Sequence, residues 1–248
     1  MSNLPKPWAL LTEEEKSGFT LDNSIRVLHH YLNDTPQSTA KAHDRFAFYS
    51  KEMIDENIEF IKSGGVKNYK SLNFDLYKCF ENYSIKDKTV AIIGSVTPWF
   101  EAVVIHYGGI PTTIEYNKIE TDDPRLSILT VDELKSKEIE KFDAVLSISS
   151  YEHDGLGRYG DPINPNGDIE SMKYMKDTLL KSEGLLYLAV PIGMDTVVWN
   201  AHRVYGEKRW PLLIDGFDIL FSSGYNEGDF LVDRGTGGRQ PVFVLKKK

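Results

Sequence analysis

The sequence predicts an α/β fold: a doubly wound, mostly parallel sheet with an N-terminal helical extension. Three observations point there. From residue 87 onward, short β-rich runs alternate with stretches of helical period. The central runs are apolar throughout, as expected of strands covered by helices on both faces. Before residue 87, strand signals are nearly absent and apolar residues recur at three and four.

The extension comprises residues 1–86. Ile25, Leu28, Tyr31 and Leu32 predict one helix, and Phe46, Met53, Ile54, Ile58 and Ile61 a second. Ser63-Gly64-Gly65 stops the second helix, and a third is expected over Tyr69 to Asn82. This part reads as a cap or as the surface of a homodimer. Residues 87–248 form the second unit. Its first strand is Thr89 to Ile93, followed by a helix from Thr97 to Tyr107 that Gly108-Gly109 closes. Strands follow at Pro111 to Ile114, ending in Glu115, and at Ser127 to Thr130. Val131 to Glu140 predicts a charged helix and Phe142 to Ile148 the fourth strand. Asp168 to Ser182 predicts a helix with Asp168 as N-cap. Leu185 to Val190 is the fifth strand, ended by Pro191. Beyond it the pattern breaks. Trp210 to Ile214 predicts a short helix, and Gly216 to Phe221 and Pro241 to Leu245 two late strands.

Composition narrows the function classes. The 248 residues are 41% hydrophobic and 27% charged, the make-up of a soluble globular chain. The net charge of −8, with no basic run beyond Lys246-Lys247-Lys248, argues against gripping a nucleic-acid backbone. The longest apolar stretch, Leu185 to Val190, is far short of a membrane span. The single Cys79 excludes an internal disulfide and a thiolate metal cage. No targeting signal is visible, so a cytoplasmic, reducing setting is expected.

In an open α/β sheet, ligands bind beyond the carboxyl ends of the strands. The loop after the first strand is Gly94-Ser95-Val96-Thr97-Pro98-Trp99. Gly94 permits a tight turn and close backbone approach. Glu115 ends the second strand 21 residues later, where a carboxylate can accept from both ribose hydroxyls. The loop carries one glycine rather than G-x-G-x-x-G, so it points to a nucleoside-bearing ligand more than to a dinucleotide.

Residues 87–245 resemble class I S-adenosylmethionine-dependent methyltransferases, which have a Rossmann-like, mostly parallel sheet with an antiparallel C-terminal strand. The resemblance lies in Val90 to Gly94, Ile114-Glu115, Phe142 to Val145, Glu183 to Leu186 and Gly216-Phe217. It implies S-adenosyl-L-methionine as cofactor. Gly94 and Ser95 would lie by its methionine part, Glu115 and Tyr116 by its ribose, Leu129 and Thr130 by its adenine, and Ser149 at the end of the fourth strand.

The segment expected to carry chemistry follows that strand, from Ser149 to Asp168. Six of the thirteen residues from Gly155 to Gly167 are Gly or Pro, which predicts a rigid path. Threaded into it are ionisable groups, the signature of a functional loop. His153 is the candidate general base for an attacking hydroxyl. Asp154 or Asp161 could orient it, Arg158 could bind an anionic acceptor group, and Tyr159 could stack on a sugar. The bland reading has Arg158 paired with Asp161 to hold the loop. A second cluster, Asn200 to Gly206, would bring His202 and Arg203 to the acceptor. Some methyltransferases carry a Glu-x-x-Glu-His signature here that binds a divalent metal. This chain has Ser149 in the first position, and no metal is assigned.

The runs Glu152 to Pro162 and Asn200 to Gly206 also resemble a domain-of-unknown-function family found in nematodes and, in bacteria, beside surface-polysaccharide genes. That resemblance implies a methyltransferase-like fold and a saccharide or nucleotide-linked sugar as the small-molecule acceptor. The reading is O-methylation of a small polar acceptor. Its rivals are a non-catalytic nucleoside-binding or scaffold protein, a nicotinamide-dependent oxidoreductase, and a metal-dependent hydrolase built on Glu152, His153, Asp154 and Asp161.

Overall fold

The computed structural model describes residues 5–34, 48–67, 70–95, 97–136 and 138–248. Phe46, Tyr69 and Val96, which the sequence singles out, lie outside the described residues. In chain order the strands are β1 Arg26–His29, β2 Phe48–Tyr49, β3 Thr89–Ile93, β4 Ile110–Glu115, β5 Glu120–Thr121 and β6 Ser127–Thr130. They continue as β7 Phe142–Ile148, β8 Leu180–Ala189, β9 Thr196–Trp199, β10 His202–Val204, β11 Phe217–Ser223 and β12 Val242–Lys247. The α-helices are α1 Glu13–Thr20, α2 Lys51–Lys62, α3 Lys70–Asn82, α4 Trp99–His106, α5 Val131–Ser136, α6 Gly167–Tyr174 and α7 Trp210–Leu213.

Seven strands form the main sheet, in the order β11-β12-β8-β7-β3-β4-β6. β3, β4, β6, β7 and β8 run parallel, and β12 enters antiparallel between β8 and β11. This is the doubly wound sheet of the class I methyltransferase type, with its reversed late strand. Side chains alternate between two cores, since successive residues of a strand point to opposite faces. Val90, Ile92, Ala144, Leu146, Tyr187 and Val244 pack with Ile54, Leu76, Phe80, Trp99 and Val103 of helices α2, α3 and α4. Ala91, Val145, Leu186, Leu188, Phe243 and Leu245 pack with Met172, Met175, Trp210 and Leu213 on the other face. The strand order reverses between β3 and β7, which places the ligand crevice beyond their carboxyl ends.

Three expectations need correction. The helix expected over Ile25 to Leu32 is strand β1, which pairs in parallel with β9 from Arg26↔Thr196 to His29↔Trp199. Ile25 and Val27 fall on one face, against Phe19, Leu156, Val197 and Trp199. Pairing with a distant strand outweighs the local three-and-four spacing. The helix expected over Asp168 to Ser182 gives way earlier, through a π-helical turn at Met175–Leu179 into strand β8. Its N-cap is Asn166, while Asp168 is fully buried. The charged helix from Val131 ends at Ser136, four residues before the expected Glu140.

The β9–β10 pair, read from sequence as a break in pattern, is a strand turn carried by the β-rich run Thr196-Val197-Val198-Trp199. It ties the N-terminal segment to the site. The His30 N–H donates to the Trp199 carbonyl at 2.6 Å. The Asn200 side chain exchanges two bonds with the Leu32 backbone. Trp199 meets Phe19 and Trp8 edge-on at 4.9 and 5.2 Å. No helix among the described residues is long and apolar enough to cross a membrane.

Candidate functional site

The crevice begins at the end of β3. Gly94 has φ +70°, and a Cβ there would lie 2.8 Å from Ser150 Oγ. Glycine is therefore favoured by conformation, and the loop after β7 comes close beside it. The next backbone amide, of Ser95, donates to Glu115 Oε2 at 3.1 Å, and the Tyr116 amide donates to Glu115 Oε1 at 2.8 Å. The carboxyl is thus clamped at the end of β4, facing the turn. Burial raises its pKa, against these amides. The exposed Tyr116 ring stands at the rim. Tyr49 supports the loop by donating to the Ser95 carbonyl at 2.9 Å.

Beneath the loop lies an acid that the sequence reading missed. Glu101, on α4, is fully buried and accepts from Thr113 at 2.7 Å, while Oε2 has no partner. Burial pushes its carboxyl up to about 7. Its signal was present: a single acid in the apolar run Trp99 to Ile105.

At the end of β6, Leu129 is half-buried and packs against the second core. Thr130 caps α5: its hydroxyl accepts from the Glu133 amide at 3.1 Å, and its amide donates to Glu133 Oε2 at 2.9 Å. The Thr130 side chain is therefore occupied by the helix start.

The loop after β7 is rigid, for reasons only partly visible in the sequence. A Cβ on Gly155 would fall 2.0 Å from the Asn164 carbonyl oxygen, so the two arms of the loop touch there. Asp161 accepts from the Gly155 and Gly157 amides at 2.8 and 3.0 Å. It braces the turn rather than His153. The loop's underside rests on two buried guanidiniums. Arg203, fully buried, donates to the Asp154 carbonyl at 2.6 Å and to the Asn164 and Pro165 carbonyls. Arg209 makes a two-point contact with Asp168, at 2.9 and 2.6 Å, and Tyr205 adds a third bond at 2.9 Å. Burial works against the Asp168 carboxylate, but Arg203 and Arg209 hold its pKa below the usual range. Arg203 was expected to face the acceptor. It points inward, because the loop's own carbonyls need donors that water cannot supply there.

His153 occupies the upper side of the loop. Its Nδ1 lies 2.6 Å from the Ala201 carbonyl, which can only accept. Nδ1 thus carries the proton and Nε2 is left as an acceptor. Burial, helped by the Arg158, His202 and Arg203 charges, drives the imidazole down to about 3, so it is neutral at physiological pH. Ala201, and neither Asp154 nor Asp161, sets its tautomer. The Asp154 carboxyl is pushed up to about 7 by burial. Tyr159 and His202 meet the His153 ring edge-on at 5.6 and 6.3 Å. Arg158 is engaged by Asp34 at 2.7 Å and by the Ala201 carbonyl at 3.2 Å, not by Asp161. The structure therefore gathers His153, Arg158, Tyr159 and His202 in one cluster, joins Ser149 to Glu152 and Gln240, and holds Gly94, Ser95, Glu115 and Tyr116 together at the ends of β3 and β4.

The residues do not fit a divalent metal ion. Among the described residues, no group of three or more His, Cys, Asp or Glu side chains is placed to hold one. Ser149 donates to Glu152, and Asp161 is occupied by backbone amides.

Comparison with solved structures supports the fold. The chain is similar to the 1,6-didemethyltoxoflavin-N1-methyltransferase of Burkholderia thailandensis, solved with 1,6-didemethyltoxoflavin and S-adenosylhomocysteine. The TM-score is 0.54 at 12% identity, over 88% of this chain and 94% of that one. Lesser similarity links it to the PH0226 protein of Pyrococcus horikoshii OT3, with TM-score 0.49 and 15% identity over 74% of this chain and 92% of that one. For TehB of Haemophilus influenzae the TM-score is 0.48 and the identity 11%, over 77% and 67%. No curated protein matches the sequence. A family model does match, over residues 87–232, and by that match the chain belongs to the family described as Caenorhabditis protein of unknown function, DUF268.

Proposed function

We propose that the protein is an S-adenosylmethionine-dependent methyltransferase that O-methylates a small polar acceptor of the saccharide class. The observation that carries the cofactor reading is the Glu115 carboxyl at the end of β4, clamped by the Ser95 and Tyr116 amides beside the Gly94 turn. The Ser95 and Tyr116 amides each take one carboxyl oxygen, the Asn117 amide also acts on the group, and the remaining acceptor capacity is left for a ribose hydroxyl. Gly94 and Ser95 would line the methionine end, with Ser149 opposite, and the half-buried Leu129 would border the adenine together with the Thr130 backbone. The Burkholderia enzyme of similar fold, which binds S-adenosylhomocysteine, supports the same assignment.

S-adenosylmethionine supplies an electrophilic methyl group. The protein's contribution is alignment, because displacement at a methyl carbon requires an in-line approach. His153 is too weakly basic to hold a proton at neutral pH, so its Nε2 serves to accept a hydrogen bond from the acceptor hydroxyl and orient it, and the hydroxyl proton is released to water as the oxygen–methyl bond forms. Tyr159 and His202 form the flanking wall. Arg158 serves the wall by tying it to Asp34.

Calorimetric titration with S-adenosylhomocysteine, with NAD as control, tests this reading. Saturable binding that weakens in Glu115→Ala is expected. Tighter binding of NAD, or no binding of S-adenosylhomocysteine at millimolar concentration, would overturn it.

A further inference from the structure

The end of β7 holds one group that the roles above leave unused. Glu152 is 1% exposed, on the same wall as His153. Its Oε1 accepts the Ser149 hydroxyl proton at 2.6 Å, and its Oε2 has no partner. The Ser149 hydroxyl has then given its only proton and can only accept. It accepts from Gln240 Nε2 at 3.2 Å. That bond fixes the Gln240 amide with nitrogen inward and leaves Gln240 Oε1 buried, also without a partner. His153 Nε2 lies 3.8 Å from Glu152 Oε1, and its proton is on the other nitrogen.

Three hydrogen-bond acceptors thus belong to one chain of contacts through Ser149 Oγ and Glu152 Oε1: Glu152 Oε2, Gln240 Oε1 and His153 Nε2. Arg158, whose charge acts on Glu152, is already bound to Asp34 and the Ala201 carbonyl, and Arg203 is turned to the loop carbonyls. Buried acceptors without donors are costly to keep and rare in folded proteins, and a ligand is one reason to retain them.

We propose that Ser149, Glu152, Gln240 and His153 form the acceptor subsite, and that it recognises a neutral or cationic group rich in O–H or N–H donors while rejecting anions. This rests on the methyltransferase reading and deepens it by stating what the acceptor must present. It also replaces the expectation that Arg158 binds an anionic acceptor. Burial, partly offset by Ser149, raises the Glu152 carboxyl to about 7, so above neutrality the cluster is anionic and purely accepting. Gln240 lies between Arg239, whose backbone exchanges two bonds with Ile192 at 2.7 and 3.3 Å, and strand β12, so paired backbone delivers its amide to the cluster.

The test is calorimetric titration of the full chain, with and without saturating S-adenosylhomocysteine, by three probes of similar size. These are ethanolamine as cation, glycerol as neutral polyol and glycolate as anion, at a pH above the Glu152 titration. Ethanolamine and glycerol should bind, and ethanolamine should exceed glycolate by about tenfold or more, as charge-assisted bonds to a desolvated carboxylate imply. Glu152→Gln should abolish the preference, and Gln240→Leu should weaken it. Equal or tighter binding of glycolate, no binding of any probe, or an order unchanged in both variants would overturn the proposal. Should the probe order hold while S-adenosylhomocysteine fails to bind, the methyltransferase reading falls and the subsite stands.

Discussion

Around Gly94 and Glu115 the ligand edge is shaped mainly by backbone amides, whereas around residues 149–165 it is shaped by buried charge. On the first side, the Ser95 and Tyr116 amides clamp Glu115, and the Gly94 turn follows from one residue's φ. Every partner lies within a strand end or its loop. On the second side, Arg203 and Arg209 reach from beyond β9 to bind the Asp168 carboxylate and four loop carbonyls, those of Glu152, Asp154, Asn164 and Pro165. The lesson concerns reading ionisable residues. In a glycine- and proline-rich loop that makes few internal ladder bonds, charged side chains supply the donors and acceptors that regular structure would otherwise provide. Arg203 and Asp161 therefore look like machinery in the sequence and serve as scaffolding in the fold.

The widest test of this contrast is Asp168→Ala. It would strand two buried guanidiniums without a counter-ion, and a loss of about 3–5 kcal/mol is expected, read by urea denaturation. A loss as small as that of a surface substitution would show that the loop does not depend on its buried charge.

Glu101→Gln asks whether the amide-built side also stores charge. The Glu101 pKa is about 7 in the fold, above its unfolded value. The carboxyl's contribution to stability is therefore fully present below the unfolded value and is lost as pH rises through 7. That loss amounts to roughly 3 kcal/mol. The glutamine variant should escape it, gaining on the wild type as pH rises from about 5 to 8. Melting temperatures of both proteins across that range decide the point. A constant difference would mean that Glu101 does not titrate there.

Glu115→Ala sharpens the contrast from the other direction. Removal of a carboxylate that accepts from ribose hydroxyls should weaken S-adenosylhomocysteine about ten- to a hundredfold. The weakening should exceed any change in the ethanolamine preference, because the two walls bind different ligands.

The smallest effect is expected from Asp34→Ala. The Asp34–Arg158 pair is partly exposed, at 39% and 20% of the side chains, so its loss should cost less than about 1 kcal/mol. A larger change in the unfolding midpoint would give the N-terminal segment a greater part in holding the wall.

Much of the fold was legible in the sequence where β-rich runs are bounded by turn residues, in buried central strands and in the half-exposed edge strand β6 alike. Thr89–Ile93, Ser127–Thr130 and Phe142–Ile148 read as bounded apolar runs, and the structure places strands at those limits. Strand β1 was not legible, because its partner lies 170 residues away at Thr196 and its own spacing suits a helix equally well. In the site, the Gly94 turn and the position of Glu115 at the end of its strand followed from local pattern. The Ser149–Glu152–Gln240 chain could not be read, since Gln240 arrives from the segment just before β12, which has no motif of its own.

The sequence by itself determined the alternation of strand and helix from residue 87 onward and the positions of the loops at the ligand edge. These follow from short-range periodicity and from glycine and proline, whose effects are local. Only the tertiary structure decided which charged groups are buried and which lie open to a ligand. A charge is buried or exposed according to what packs over it, and at this site the covering residues lie tens of positions away along the chain.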